Sequence, residues 1–560
     1  MGLSDSKWVD TIGGLVKSGP SGVASKVNEK VDVFRVLAGT GVIKPARPDQ
    51  LVKMGLALAR WGFTPATGWG VGAARWPQEK ALIDDFGSLT FTEIDEQSSA
   101  IATALADKGV KEGAAVGVLM RNTRWMLLTL SALAKVGADA VLLNTGFGAP
   151  QIADVCESED AKAVIYDAEF DSLFDEAKDD MLYILGYVAE DEADVKGDKL
   201  TLQDLIETET KLGRPKHRSR QIILTSGTTG KPKGAPRSVE GPEPAAAFLS
   251  KIPLKARGTT VIAAPIFHAW GMAHLGLALM LSSTIVLSRK FDPENVLKQI
   301  QDTKASGLVA VPVMLQRMME LDESVREKYD TSSLKVVAVS GSAMPGDLAT
   351  KFMDAFGDVI YSLYGSTEVA YATVASPKDL RDAPGTAGRL VMGTTIKLID
   401  QESGEEVKQG EVGRIFVGNP FIFSGYTGGQ DKDRMGDLVA SGDVGRFDEE
   451  GRLFIEGRDD EMIVSGGENV FPAEVEDLIS KMDGVREVAV IGVDDEKMGQ
   501  RLAAYVVKDG KGSVDEDAIQ SHVKENLARH KVPRDVHFID ELPRNATGKV
   551  VKKDLKDSDD

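Results

Sequence analysis

The chain has 560 residues, 42% hydrophobic and 27% charged, a balance that belongs to globular proteins and excludes a disordered one. Its length suits roughly two to four domains with several cores. Against 86 Asp and Glu stand 66 Lys and Arg, a net charge of -20, which argues against a general nucleic-acid binder but leaves room for a local basic pocket holding a small anion. The lone Cys156 excludes an internal disulfide framework, and no Cys/His cluster offers a zinc site. A cytoplasmic location is expected.

Residues 1–20 lack a basic start followed by an apolar run, so no secretory signal is expected. Residues 51–74 mix apolar side chains with Lys53, Arg60, Trp61 and Trp69. They predict a surface helix and loop packed on the body; the competing reading is a peripheral membrane contact, because basic and Trp residues flank apolar ones. From Phe86 onward helical and strand signals alternate, the mark of an α/β protein. A helical pattern covers 89–106, a strand 114–120, a helix 125–136 and a strand 162–166. Six short apolar strands follow at 221–224, 260–264, 284–287, 307–311, 334–339 and 358–363. Several run into small or polar residues, notably Thr225-Ser226-Gly227, Ser340-Gly341-Ser342 and Tyr364-Gly365-Ser366-Thr367. Ligands of open parallel sheets sit beyond the carboxyl ends of the strands, so these loops predict one shared pocket. The most apolar stretch, 269–281, is broken by His274, falls short of a membrane span and reads as a buried core helix.

After Gly385 the strands shorten and Gly turns appear, as at 414–417 and 453–455. Arg458 precedes three acidic residues, Asp459, Asp460 and Glu461, and a compact α+β pattern follows: helices at 473–481 and 517–527, strands at 487–493, 502–507 and 536–539. The expected division is an N-terminal extension over 1–72, a large domain over 73–458 and a small C-terminal domain over 459–560.

The strongest chemical signal is 224–234, Leu-Thr-Ser-Gly-Thr-Thr-Gly-Lys-Pro-Lys-Gly. Four hydroxyls, three glycines and two lysines behind a strand make a flexible, cationic, donor-rich loop able to wrap phosphate oxygens. It is not a Walker A loop, because Thr225 stands where the first Gly belongs and Pro232 follows Lys231. The loop resembles the phosphate-binding signature of the adenylate-forming enzymes, which include acyl-CoA synthetases, firefly luciferase and peptide-synthetase adenylation domains. Four further elements follow in the family's order. Tyr364-Gly365-Ser366-Thr367-Glu368 resembles its Y-G-x-T-E element, and Ser441-Gly442-Asp443 its T-G-D element with Ser for Thr. Gly457-Arg458-Asp459-Asp460-Glu461 with Ser465-Gly466-Gly467-Glu468-Asn469 resembles its hinge and following loop, and Pro543-Arg544-Asn545-Ala546-Thr547-Gly548-Lys549 its catalytic-lysine motif. The likeness runs from 76 to 555.

The resemblance implies an α/β fold: a large N-terminal domain of parallel-sheet subdomains with a small β subdomain, and a small mobile α+β C-terminal domain. It implies that Thr225, Ser226, Gly227, Thr228, Thr229, Gly230 and Lys231 hold the phosphates of ATP. Glu368, a hard oxygen ligand, would take Mg²⁺ with Thr225 as a second ligand. Thr367 would donate to the α-phosphate. Tyr364, followed by Gly365, would stack on adenine beside Ser342 and Ala343, while Asp443 accepts from the ribose hydroxyls and Arg458 contacts ribose or phosphate. Lys549 would bridge carboxylate and α-phosphate as negative charge gathers in the transition state. Asp460 would be the hinge, and Ser465, Gly466 and Gly467 would help form the coenzyme A tunnel. His268, Trp270 and Gly271 would line the acyl site, with His268 a contact rather than a base. The expected activity is an AMP-forming acid–thiol ligase acting on a medium- or long-chain fatty acid. The alternative is an adenylation enzyme that loads a carrier protein in trans. A luciferase-like oxygenase and a non-catalytic lipid binder are further readings; intact Glu368 and Lys549 speak against the latter.

Overall fold

The computed structural model describes residues 19–175, 181–189, 192–226, 232–237, 241–423, 425, 432–459, 461, 463–465, 468–495, 499–510, 512–545 and 548–556. Two sheets of mainly parallel strands form the large body. In the first, the order is Leu182–Leu185, Ala161–Tyr166, Ala115–Leu119, Asp139–Leu142, Gln221–Ser226 and Pro232–Arg237, parallel except for the last pair. In the second, Ile360–Tyr364, Val336–Val339, Gly307–Ala310, Thr259–Ile262, Thr284–Val286 and Lys80–Asp84 run parallel between antiparallel edge strands. The interior strands are covered on both faces, which is why Ala115–Leu119 and Val336–Val339 read as unbroken apolar runs instead of alternating. The six later strands do not share one sheet. Gln221–Ser226 belongs to the first, yet its carboxyl end and those of Val336–Val339 and Ile360–Tyr364 all border one cavity.

Local chemistry sets the element ends. The helix expected from Leu89 starts instead at Phe91, because Thr90 accepts the Glu93 backbone N–H at 3.2 Å and the Glu93 carboxylate accepts the Thr90 N–H at 2.7 Å. Leu89 is left in the strand Gly87–Thr90.

The extension forms three helices, Gly19–Thr40, Pro48–Trp61 and Pro65–Arg75. The third is a junction. A Cβ at Gly68 would come 2.7 Å from Leu279 Cβ, one at Gly70 3.3 Å from Ala57 Cβ, and one at Gly72 2.1 Å from Phe91 Cδ1. Three glycines in five residues thus let neighbours on three sides approach its backbone. Arg60 and Arg218 tie the second helix to the body through backbone carbonyls, Arg60 Nη2 donating to Leu212 O at 2.5 Å and Arg218 Nη1 to Arg60 O at 2.8 Å.

An antiparallel sheet follows, built from Thr395–Ile399, Gly413–Gly418, Arg434–Met435, Leu438–Phe447 and Leu453–Arg458. Ile463–Ser465 then opens the C-terminal sheet, where Val485–Asp495 and Gly499–Lys508 form a long hairpin and Asp535–Ile539 adds in parallel. Helices Pro472–Ile479 and Glu516–Asn526 supply Val475, Ile479, Ile519 and Val523 to a separate hydrophobic core with Val490, Leu502 and Val506. This α+β unit therefore buries its own apolar surface, as an independent domain must.

Candidate active site

One cavity of about 2190 Å³ lies where the two parallel sheets, the antiparallel sheet and the C-terminal domain meet. Leu224, Ser340, Gly341, Ser342, Ala343, Tyr364, Thr367, Glu368, Asp443, Arg458 and Lys549 all line it. Residues separated by up to several hundred positions in sequence thus face one space.

The antiparallel register places the acidic and basic groups side by side. Asp443 lies opposite Arg458 across the pairing of Leu438–Phe447 with Leu453–Arg458, and Arg458 Nη1 donates to Asp443 Oδ1 at 3.2 Å. Tyr364, ending its strand, donates its hydroxyl to Asp443 Oδ2 at 2.6 Å and stands 3.0 Å from Ser441 Oγ. Burial pushes the Tyr364 hydroxyl well above its ordinary range, reinforced by the Asp443 charge, so it remains a donor. Burial also raises the Asp443 carboxyl, against the opposing pull of the Tyr364 hydrogen bond and the Arg458 and Lys549 charges. Tyr364 was expected to offer a ring face to adenine. Its hydroxyl here has a second task, holding the carboxylate in place, because the strand end aims it directly at Asp443. Ser441, the residue that departs from the family's Thr, is buried and accepts the Asp443 backbone N–H at 3.1 Å.

Glu368 is positioned by a residue to which sequence reasoning gave no role. Ser366 Oγ donates to Glu368 Oε2 at 2.7 Å and accepts the backbone N–H groups of Glu368 at 3.2 Å and Val369 at 3.3 Å. A Ser two residues before an acid is a local turn signal that would have identified it. The half-buried carboxylate lines the cavity, and its hard oxygens fit Mg²⁺. The proposed second ligand, the Thr225 side chain, lies outside the described residues, as do the Ser226 side chain and Gly227, Thr228, Thr229, Gly230 and Lys231.

Lys549 comes from the C-terminal domain and is exposed toward the cavity. Asn545 shapes its loop: Asn545 Oδ1 accepts the Lys549 N–H at 3.0 Å, the Asn545 N–H donates to Lys549 O at 2.9 Å, and Gly548 N donates to Asn545 O at 2.8 Å. Gly548 has φ +80°, and a Cβ there would sit 2.5 Å from Val313 Cγ1 in the large-domain helix Pro312–Glu320. Only glycine allows this backbone to reach that helix without strain. The lysine side chain thus enters the cavity through a tight contact between the two domains.

On the opposite side, His268 precedes the helix Ala269–Met280 and lines the cavity with its Nε2 unpartnered among the described residues. Burial lowers its imidazole to about 4, so the ring is neutral at physiological pH. Trp270 also borders the cavity, and its indole N–H donates to Ala310 O at 3.1 Å. Gly271 is placed differently from expectation. It faces the backbone of 265–266, where a Cβ would lie 2.3 Å from the Pro265 carbonyl oxygen, so it serves a close chain crossing and not the cavity wall. The helix Ala269–Met280 is also not wholly buried: Met272, Ala273, Gly276 and Met280 form a face open to the cavity. Ser465, expected near coenzyme A, is buried opposite Glu468 and away from the cavity lining. Gly466, Gly467 and the expected hinge Asp460 lie outside the described residues.

Comparison with known proteins gives this assembly its context. The sequence pattern of the family described as AMP-binding enzyme matches residues 71–427, and that of the AMP-binding enzyme C-terminal domain matches 474–549. The putative acyl-CoA ligase YdaB of Bacillus subtilis is 30% identical over 477 residues, covering 84% of this chain and 93% of that protein. A 2-succinylbenzoate-CoA ligase of Bacillus cereus is 31% identical over 489 residues, covering 86% of this chain and 95% of its own length. The crystal structure of the anthranilate CoA ligase AuaEII in complex with anthranoyl-AMP matches with a TM-score of 0.79 at 26% identity, over 88% of this chain and 97% of the other. The chain belongs to the AMP-binding enzyme family of adenylate-forming enzymes, as an ATP-dependent acid–thiol ligase that makes an acyl adenylate and then a coenzyme A thioester.

Proposed function

We propose that the acid is an aliphatic one of medium or long chain. The supporting observation is the open, uncharged face of Met272, Ala273, Gly276 and Met280 beside His268, in the same cavity as Lys549 and Glu368. A flat aromatic acid such as the anthranilate named in one solved neighbour needs a short pocket, and the second carboxylate of 2-succinylbenzoate would meet no cation on this face, which continues for most of a helix.

In the first step a carboxylate oxygen attacks the α-phosphorus of ATP, forming the C–O–P anhydride while pyrophosphate departs. The Lys549 ammonium offsets the negative charge building on the five-coordinate phosphorus, and the Thr367 hydroxyl donates to the same phosphate. Asp443, fixed by Tyr364 and Arg458, accepts from the ribose hydroxyls, and Ser342 and Ala343 leave space for the adenine ring. Glu368 would hold Mg²⁺, which would supply neutralisation of part of the triphosphate charge. In the second step the thiol of coenzyme A attacks the acyl carbon and AMP leaves, so no protein nucleophile is required. The resemblance implies that the C-terminal domain turns about Asp460 between the steps, withdrawing Lys549 and bringing the 465–467 loop, whose Ser465 is buried in the present arrangement, to the coenzyme A path.

A panel of acids from acetate to oleate, with 2-succinylbenzoate and anthranilate, tests the reading through pyrophosphate release with and without coenzyme A. Highest kcat/KM among acids of about eight or more carbons supports it, and selective turnover of the aromatic acids overturns it. Thioester formed only on added carrier protein, and never on free coenzyme A, would establish the alternative acceptor.

A further inference from the structure

Resting on the aliphatic-acid reading, we infer that the N-terminal extension forms the outer half of the acyl site, so that helix Pro48–Trp61 sets the longest acid the enzyme accepts. The cavity holding Lys549 and Glu368 extends past His268 to Leu51, Met54, Gly55 and Leu58 of that helix. Their spacing of three, four and seven residues puts them on one helical face. The facing wall is Met272, Gly276 and Met280, spaced four residues apart on helix Ala269–Met280, with Gly68 and Val71 of the intervening helix between them.

Three features distinguish this groove from ordinary packing. It is apolar without being filled: Leu51 is 54% exposed and Leu58 41%. Gly55 and Gly276 have no heavy atom within 4 Å of the place a Cβ would occupy, so the groove has open space at both positions. No Lys, Arg, Asp or Glu of the helix Pro48–Trp61 borders the cavity, although the helix carries Asp49, Lys53 and Arg60. An apolar face of this kind needs an occupant. Continuity with the reaction site identifies it as the hydrocarbon tail of the acid whose carboxylate lies at Lys549. The helix precedes residue 71, where the match to the AMP-binding family begins, so this wall is built from sequence outside the shared core.

The test uses the full chain with Gly55→Trp and, separately, Leu58→Asp, assayed by pyrophosphate release on saturated acids from hexanoate to octadecanoate. Blocking the groove withdraws several methylenes from an apolar surface, each worth roughly fourfold in binding. The expected result is a fall of about tenfold or more in kcat/KM for hexadecanoate through KM, with octanoate unchanged. Crosslinking with a fatty acid carrying a diazirine at its methyl end is expected to label 51–58. An equal loss at all chain lengths in both variants, or an unaltered length profile, overturns the groove while leaving the aliphatic reading intact. Reduced co-sedimentation with anionic lipid vesicles with no change in the length profile also overturns it, assigning the face to a lipid surface. Failure of the unmodified enzyme to turn over any aliphatic acid removes the underlying reading instead.

Discussion

The two halves of the active site are held in contrasting ways. On the large domain, Tyr364 from the end of a parallel-sheet strand and Ser441, Asp443 and Arg458 from two paired antiparallel strands form a largely shielded network and lock one another. On the C-terminal domain, Lys549 rides a short loop shaped by Asn545 and meets the large domain through Gly548 against Val313. The first half is preorganised and costs little to align on binding; the second is delivered by a domain with its own core. Under the proposed two-step mechanism, a site that must first make an anhydride and then admit a thiol would benefit from that division, keeping its nucleotide contacts while the lysine withdraws.

The comparison breaks most sharply at Lys549. Lys549→Ala is expected to lower acyl-adenylate formation by about a thousandfold or more, while supplied acyl-adenylate still goes to thioester within a few fold. Equal loss in both half-reactions, measured by pyrophosphate release and thioester formation, would show that the lysine is not confined to one step. Gly548→Ala should cost adenylation about 10–100-fold, because the added Cβ meets Val313 and φ is positive. Thioester formation from supplied adenylate should be spared, and Val313→Ala in the same chain should recover part of the loss. On the preorganised half, Tyr364→Phe removes a donor from the buried Asp443 carboxylate at a cost of about 1–3 kcal/mol. Its expected signature is roughly a tenfold rise in KM for ATP, seen in both directions of the first step, with little change in KM for the acid.

The smallest expected effect concerns stability. Burial holds His274 at about 4 against an ordinary 6.5, its ring packed edge-on against Trp270 with centroids 4.1 Å apart. Between those two pH values the unfolded chain binds more protons than the folded one, so stability is lost as pH falls from 6.5 toward 4. The contribution of this group is about 2 kcal/mol at pH 5. His274→Phe should flatten the fall of Tm between pH 7 and 5 by a few degrees; an unchanged slope would place the acid sensitivity elsewhere.

Much of the site was legible because its motifs sit at strand ends, where a short apolar run followed by small polar residues has one structural meaning in a parallel sheet. Glu368 reaches the cavity just beyond such a strand end and Lys549 from a loop quoted by motif, while Asp443 and Arg458, also quoted by motif, reach it from paired antiparallel strands. Less legible were residues that act on other residues. Ser366 and Asn545 touch neighbours two and four positions away; the Ser-x-Glu spacing marks a turn at Ser366 without saying that the turn holds a site carboxylate, and Asn545 offers no such spacing. Gly271 misled for the related reason that a glycine beside a cavity and a glycine beside a carbonyl look alike in one dimension.

The amino-acid order alone determined the α/β class, the order of the chemical motifs and the change of style after Gly385, because these depend on local periodicity and on groups close together along the chain. Tertiary structure decided what depends on neighbours distant in sequence: that Gln221–Ser226 and Ile360–Tyr364 belong to different sheets yet end at one cavity, that Tyr364 holds Asp443, and that the glycines of Pro65–Arg75 let the extension reach the cavity beside the helix Ala269–Met280. Closeness of backbones and the filling of space are properties of packing, and no single segment carries them.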